Sequence, residues 1–490
     1  MTLIIGGLLV AALLLWLLAS RVSVPAVIGA VLAVPQIYQI VPVVYSGALA
    51  WNLLTLPVTL VRMKASLWRG APALLAAFVV LHLVYLPLSP SVGRGALEVM
   101  EVLGALAAVL AFVLAAAADR GIFKTVMYAG LPFFVLQSFL TIAFLVDPGL
   151  EMSYLTSPIA PYFSSAGVLG LFTTNYNNVV ETFKAGGIYL NGNSASMTMG
   201  AAAFAYFGFG KLFHSRIMTI GSIIMFIGAI FTGSKTGIGL AVVLAPSMYL
   251  LYKAASQANI LLNRALAVLI GIPALILGVR FVLSQAEQFT EQSSDSVEIR
   301  SKIWDVAIDV IQQHPIIGSG YGAFNIELTR VSTTIGVPGS YPPHNFLLSI
   351  WIDVGLAGVA LILALYALIV MQLIKVVRRS SKEVSVAAMC FIGSVSWIFI
   401  HGMGDNTSFF GTLSTMPIFA AIVVVSRIFV LDLKEGAGSS LWSVQREAGN
   451  GLLGVAKTPR LGVYGSAPSV ASRPGSDAYV ARRRSGRRRT

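Results

Sequence analysis

Long apolar blocks with few charges recur along this chain: Ala71–Leu86, Ala96–Ala118, Val126–Val146, Ile217–Phe231 and Ala265–Leu283. A bilayer core of about 30 Å asks for about 20 such residues per helix. A spanning helix also satisfies its own backbone polar groups, which lipid cannot do. Nothing alternates with period two, so a β-barrel is excluded. The expected fold class is all-α: a polytopic transmembrane helical bundle with about 12 or 13 spans by the same length rule. Composition agrees, with 57% hydrophobic and 11% charged residues against about 25% charged in soluble domains. Val22–Val61 reads either as one broken span or as a hairpin around Pro42. Met1–Ser20 lacks the basic n-region of a cleavable signal peptide and reads as a retained first span. The sole cysteine, Cys390, falls inside a span and excludes a disulfide framework.

Lys and Arg set the expected orientation. They cluster at Arg62/Lys64/Arg69, Arg120/Lys124, Lys211/Arg216, Lys253/Arg264 and Lys375/Arg378/Arg379/Lys382, so every second loop is positive and reads as cytoplasmic. The segment Gln285–Pro343 holds seven acidic residues against Arg300, Lys302 and Arg330, and reads as a large, partly helical loop on the outer face. The expected division is a membrane domain over 1–430, containing the loop 285–343, and a disordered basic tail over 431–490. That tail carries eleven basic and four acidic residues and ends in "ARRRSGRRRT". It reads as a cytoplasmic, anionic-lipid-attracting segment, with no nucleic-acid role.

Ion-coupled carriers place ionisable groups near the midplane. Here the polar features gather instead at outer ends of spans and in outer loops: "YLNGNSAS", "TGSKTG", "EIRSKIWDVAIDVIQQHPIIGSGYGAF", "PPHN" and "HGMGDNTS". In the long loop, Ile299, Ile303, Trp304, Ala307, Ile308 and Ile311 recur at helical spacing, and the helix should stop near His314, before Pro315. Lying on a membrane, such a helix would hold Arg300 at headgroup depth, where its planar fork suits phosphate; the alternative is a solvated arginine. Lys235, in a tight outer turn, is a cation against the positive-inside trend and asks for a partner, either a phosphate or the acidic loop. "GSKTG" lacks the preceding strand and first glycine of a P-loop, so that reading is rejected. Of the five histidines, His82, His214 and His314 read as structural or solvated. His344 opens a span behind two prolines and is a candidate base, since imidazole titrates near neutrality. His401, four residues before Asp405, is a second candidate, as base or orienting partner. No zinc signature, cysteine cluster or Asp-rich motif is present, and metal-independent chemistry without a cofactor is expected.

At these residues the sequence resembles the O-antigen ligase and polysaccharide polymerase superfamily, bacterial inner-membrane glycosyltransferases that use undecaprenyl-pyrophosphate-linked sugars. The resemblance runs over about Gly187 to Gly358. "GIYLNGNSASM" is similar to the family's outer-face, Asn-containing start of a span. "FTGSKTGI" resembles its S-R/K-T/A-G turn, "RSKIWDVAIDVIQQHPIIGSGYGAF" its R…W…A…P…G-x-G-x-F loop, and "PHNFLLSIWIDVGLAG" its H-N…L…E-x-G-x-x-G signature. The resemblance implies pyrophosphate-contacting residues at Lys235 and Arg300, with Ser234 beside them, and a catalytic histidine at His344. Asn345, Asp405, His401, Asn193 and Trp304 are then supporting residues, with Asn345 or Asp405 fixing the tautomer of His344. Two positions depart from the family: Lys235 stands where arginine is common, and Asp353 where glutamate is commoner. Nine residues make two and a half turns, so on a straight helix Asp353 points away from His344 and reads as a packing or pairing residue.

The resemblance therefore implies glycosyl transfer with undecaprenyl pyrophosphate as leaving group and inversion at the anomeric carbon. The implied partners are an undecaprenyl-pyrophosphate-linked glycan donor, a lipid-linked or lipid A core acceptor, membrane lipids and other polysaccharide-export proteins. Nothing in the residues reads out the acceptor. The polymerase, making exopolysaccharide or O-antigen, is the expectation as the commoner case. A ligase onto lipid A core and a transporter of lipid-linked saccharide are the alternatives. The expected location is the bacterial inner membrane, with the site on the periplasmic face and the C-terminus in the cytoplasm.

Overall fold

The structure, a computed structural model, describes residues 12–13, 15–37, 46–164, 168, 171, 183–256, 287–405 and 407–435. All of these lie in the unit Met1–Ser443. In chain order the helices are α1 Val24–Ala33, α2 Gly47–Arg62, α3 Ala71–Tyr85, α4 Val92–Ala118, α5 Ile122–Val146, α6 Pro148–Leu155 and α7 Ala160–Ser164. There follow α8 Gly192–Leu212, α9 Arg216–Phe231, α10 Lys235–Ser256, α11 Glu287–Gln313, α12 Ala323–Ile335, α13 Phe346–Arg379, α14 Lys382–Gly402 and α15 Met416–Lys434. No strand occurs among the described residues, and the all-α reading holds.

Seven helices among the described residues are long and apolar enough to cross a membrane; two shorter apolar ones, α1 and α9, accompany them. The chain is an integral membrane protein. Val22–Val61 resolves as two helices, α1 and α2, joined near their start by the Trp51 indole N–H donating to Pro25 O at 3.0 Å. Pro42, most of Met1–Ser20 and all of Ala265–Leu283 lie outside the described residues. The segment expected to be a tail from 431 begins inside α15; residues 436–490 lie outside the described residues.

The basic turns collect at one end of the bundle. Arg427 near the end of α15 donates to the carbonyls of Ser66 and Leu67 in the α2–α3 turn. Arg120, between α4 and α5, forms a two-pronged ion pair with Asp432, both bonds at 2.8 Å. A bidentate, half-buried pair of this kind fixes geometry as well as charge. Since α8, α13 and α15 run toward that end, Asn191, Asn345 and Thr415 at their starts stand at the other, where the polar motifs lie.

The helix starts there are set by side-chain caps, which satisfy N–H groups that have no helical partner. Asn191 Oδ1 accepts from Ser194 N at 2.8 Å, and Asn345 Oδ1 accepts from Leu347 N and Leu348 N at 3.0 and 3.3 Å. The seam between α8 and α14 is closed by Trp397, fully buried, whose indole N–H donates to Ser196 O at 3.1 Å.

Helix α11 starts at Glu287 and ends at Gln313, one residue short of the expected stop. Its apolar stripe is covered differently from the expectation. Ile303, Ala307, Val310 and Ile311 are buried against Phe324 and Leu328 of α12, Val337, and Ile352 of α13. The stripe is thus consumed by protein packing, not by a membrane surface; only Ile308, 45% exposed, faces outward. A 3.6-residue apolar period reports that a face is covered without saying by what.

One junction holds this subdomain to the bundle. Helix α13 breaks at Gly355, at φ 72° and ψ −170°. The loop after α11 fills the break: Leu356 N donates to Ile316 O at 3.0 Å, and Ser319 N donates to Ile352 O at 2.6 Å. A Cβ on Gly318, itself at φ +75°, would stand 2.6 Å from Gly355 N, so the two glycines are required together. Tyr321, next along, is fully buried; its N–H donates to Ser89 Oγ at 3.0 Å and its hydroxyl pairs with His82 Nδ1. Burial, helped by the charges of Asp353 and Glu98, raises the Tyr321 phenol above its usual range.

A left-handed position costs an L-residue about 1–3 kcal/mol, and here a clash adds to it. Gly355→Ala is therefore expected to lower the thermal midpoint and the yield of monodisperse protein in detergent. Gly239→Ala on α10, where nothing lies within 4 Å of the new Cβ, is the matched control and should leave both unchanged. Equal behaviour of the two variants in a thermal-shift measurement would contradict the assigned role of the break.

Candidate functional site

The five polar motifs converge at the capped end of the bundle. The first is the turn 232–234 between α9 and α10. Gly233 takes φ +67°, and a Cβ there would fall 1.8 Å from Phe183 O, so no larger residue fits. This turn places Ser234 and Lys235 at the start of α10. Ser234, fully buried, donates its hydroxyl to Asn193 Oδ1 at 2.8 Å, which ties the second motif, at the start of α8, to the first. Lys235 is half-buried. Its neighbour Thr236 packs on the turn after α14: a Cβ on Gly404 would lie 3.6 Å from Thr236 Oγ1.

His401 stands in the last turn of α14, and Asp405 in the turn that follows. His401 is fully buried, and neither ring nitrogen has a hydrogen-bond partner among the described residues. The charges of Asp405 and Arg300 both reach it. Asp405 Oδ1 lies 3.9 Å from His344 Nδ1. His344 itself adopts φ 51°, a left-handed conformation unusual outside glycine. Such strain persists only where the surroundings over-determine it. Here Pro342 and Pro343 precede it, the Asn345 cap follows it, and Tyr341 packs edge-on against its ring at 6.2 Å.

Arg300 arrives on α11, half-buried. One turn later Trp304 donates its indole N–H to Pro343 O at 2.9 Å, so the helix bearing Arg300 is fastened to the residue before His344. The structure therefore brings Ser234, Lys235, Asn193, Arg300, Trp304, His344, His401 and Asp405 to one end of the bundle. Asn345 is there too. Its side-chain oxygen is committed to capping α13, and the carboxylate nearest the His344 ring is Asp405.

The sequence reading passed over a set of groups next to these. Arg94, Glu98 and Glu101 follow at i, i+4 and i+7 on the first turns of α4, hence on one face. Asp353 joins them across a polar cavity of about 180 Å³, whose wall also includes Pro343. The charge of Arg94 reaches both Asp353 and Glu98. Asp353 thus faces Arg94 across the cavity, and no ion pair between them occurs among the described residues. The "GRGALEVMEV" spacing was the available signal.

Residues 220–363 match the family model described as O-Antigen ligase. The match takes in Ser234, Lys235, Arg300, Trp304, His344 and Asn345, while Asn193, His401 and Asp405 reach the site from outside it. It bears out the resemblance to the O-antigen ligase and polymerase superfamily, with the glycan ligase or polymerase class of enzyme and the lipid-linked glycan substrates that this superfamily implies. No match is found among curated proteins.

The fastening of α11 to Pro343 can be tested without touching the charged groups. Trp304→Phe keeps an aromatic ring, though a smaller one, and removes the hydrogen bond, whose net worth is about 1 kcal/mol. Glycan transfer is expected to fall severalfold, with the thermal midpoint almost unchanged. A Trp304→Phe protein with unaltered transfer would show that the bond does not position Arg300.

Proposed function

We propose that this integral membrane chain, whose residues 220–363 match the O-Antigen ligase family model, is a polysaccharide polymerase acting on undecaprenyl-pyrophosphate-linked oligosaccharide. The glycan donor sits with its diphosphate between Lys235 and Arg300, while Ser234, buried and bonded to Asn193, holds the turn that carries Lys235. Its lipid lies in the membrane, and the site faces the periplasm. The observation that carries this reading is the His344–Asp405 pair, met on one side by the helix of Arg300 and on the other by the turn of Lys235.

The transfer is a single displacement. An acceptor hydroxyl attacks the anomeric carbon opposite the diphosphate, its proton passing to His344. The new glycosidic bond forms as the bond to the diphosphate oxygen breaks. Undecaprenyl pyrophosphate leaves with that electron pair, and the configuration inverts. Asp405 holds the imidazole and stabilises it once protonated. Charge builds on the leaving diphosphate, so fixed cations favour the transition state over the ground state. The chain's own guanidinium and ammonium supply that charge, and the reaction is proposed to need no metal. The acceptor is a second lipid-linked repeat, and the product is exopolysaccharide or O-antigen polymer. The basic turns at the far end of the bundle, and with them the end of α15, lie on the cytoplasmic side.

Purified protein in lipid nanodiscs, given undecaprenyl-pyrophosphate oligosaccharide, is expected to elongate it with or without chelator. Capping of added lipid A core, without self-elongation, would identify a ligase instead. Loss of a positioned base costs about 10²–10⁴ in rate, so His344→Ala and Arg300→Ala should each abolish long chains while the protein stays folded. Lys235→Arg keeps the charge and should retain activity. Wild-type chain lengths from the His344→Ala protein would sink the assignment of the base.

A further inference from the structure

The polar cavity beside His344 is not absorbed by the mechanism above. Its walls carry Glu98, Glu101 and Asp353 against one guanidinium, Arg94, which also donates to Asn325 Oδ1. Carboxyl groups outnumber the one cation there, unlike the Lys235–Arg300 side, so this wall is a poorer cradle for a diphosphate. A second cavity, of about 280 Å³, adjoins it toward Asn191 and Ser194. The two share Glu101, Thr407 and Ser408, and the Ser408 hydroxyl donates to Glu101 Oε2 at the boundary.

Two further groups in the first wall are left open toward a ligand. His82 is 4% exposed, its Nδ1 is taken by Tyr321, and its Nε2 has no hydrogen-bond partner among the described residues. Thr407 Oγ1, in the wall common to both cavities, is buried and likewise unpartnered. A buried polar atom left unmatched costs about 1–3 kcal/mol, which a bound hydroxyl would recover. The carboxylates do not gather into a metal-ligating group among the described residues. What they offer is several acceptors and few donors, which suits a ligand rich in hydroxyls.

We propose that these adjoining cavities, lined by Glu98, Glu101, Asp353, His82 and Thr407, bind the sugar rings of an uncharged saccharide, the acceptor in the transfer proposed above. The first cavity takes the ring whose hydroxyl meets His344, since Pro343 stands in its wall and His344 follows it. The second takes the next ring, on the far side of the Glu101–Ser408 pair. The lining groups then sort the two substrates: the donor diphosphate goes to the cations, and the acceptor's hydroxyls go to the carboxyl groups. The inference rests on the glycosyl-transfer reading for the word acceptor, while its test reads binding alone.

Full-length protein in nanodiscs would be titrated with two probes by thermophoresis. One is the lipid-free oligosaccharide released by mild acid from the host's own undecaprenyl-linked repeat. The other is inorganic pyrophosphate. Glu98→Gln and Asp353→Asn are expected to weaken oligosaccharide binding by about tenfold or more, the worth of a charged hydrogen bond, with pyrophosphate binding unchanged. Arg300→Ala should do the reverse. Ser349→Trp, which fills the first cavity and keeps every charge, guards against a carboxylate variant that fails to fold and should match Glu98→Gln. Unchanged oligosaccharide affinity in folded Ser349→Trp protein, or equal loss of both probes in Glu98→Gln, would overturn the proposal. Failure of wild-type protein to cleave the donor is a separate result, against glycosyl transfer and not against the saccharide site.

Discussion

The arrangement depends on a broken helix repaired by a loop. At Gly355 helix α13 gives up its own hydrogen bonding, and the loop of residues 316–320 supplies the missing partners, Ile316 O for Leu356 N and Ser319 N for Ile352 O. Without them, buried backbone groups would go unsatisfied at membrane depth, where each costs several kcal/mol. The repair does more than close a gap. It fixes the end of α11, hence Arg300 and Trp304, against the same helix that begins with His344-Asn345. The Trp304–Pro343 bond then holds the two at the other side of the subdomain. Cation and imidazole therefore share one rigid frame, although 44 residues separate them in the chain.

That frame accounts for the conformation of His344. A left-handed, non-glycine backbone would relax if either flank were loose. It is instead gripped by two prolines before it and by a helix cap behind it. The cap uses the Asn345 side chain, and this leaves Asp405, reaching in from the α14–α15 connection, to face the imidazole at 3.9 Å. At that separation the pair is not a closed hydrogen bond. Catalytic contacts are often long before substrate arrives and tighten afterwards. A site drawn from α8, α10, α11, α13 and α14 has no single element that can close it alone, so substrate is the natural agent.

Much of this was legible in the residues. The apolar blocks gave the helical membrane fold because no other backbone arrangement survives in lipid. The positive turns pointed to two unlike ends of the bundle, and Arg120 with Asp432 joins one such turn to the end of α15. The four motif pieces named Lys235, Arg300 and His344, and the structure brings their segments to one end. The misreadings share a cause. The stripe on α11 was legible as a covered face, but its cover is α12 and α13 rather than lipid. Asn345 was legible as polar and near His344, but whether it serves a ring or a helix start depends on the rotamer. Arg94, Glu98 and Glu101 were passed over because charge was sought in loops. Their spacing does place them on one face, yet only the approach of Asp353 from α13 turns that face into a cavity.

The same cavity also answers the strongest argument for a transporter, that a polar space among the spans marks a path. A path needs polar walls through the midplane, and these walls stop early. Arg94, Glu98 and Glu101 occupy the first turns of α4, and beyond them come Val102, Ala105, Leu106 and a run of buried apolar residues to Ala116. Asp353 sits just before the break in α13, and the helix beyond it carries no charge until Lys375. Moving a hydroxylated sugar past that stretch would strip its hydrogen bonds with nothing to replace them. The polar groups form a pocket with a floor, and a pocket with a floor beside a strained histidine suits holding a substrate for reaction better than passing it through.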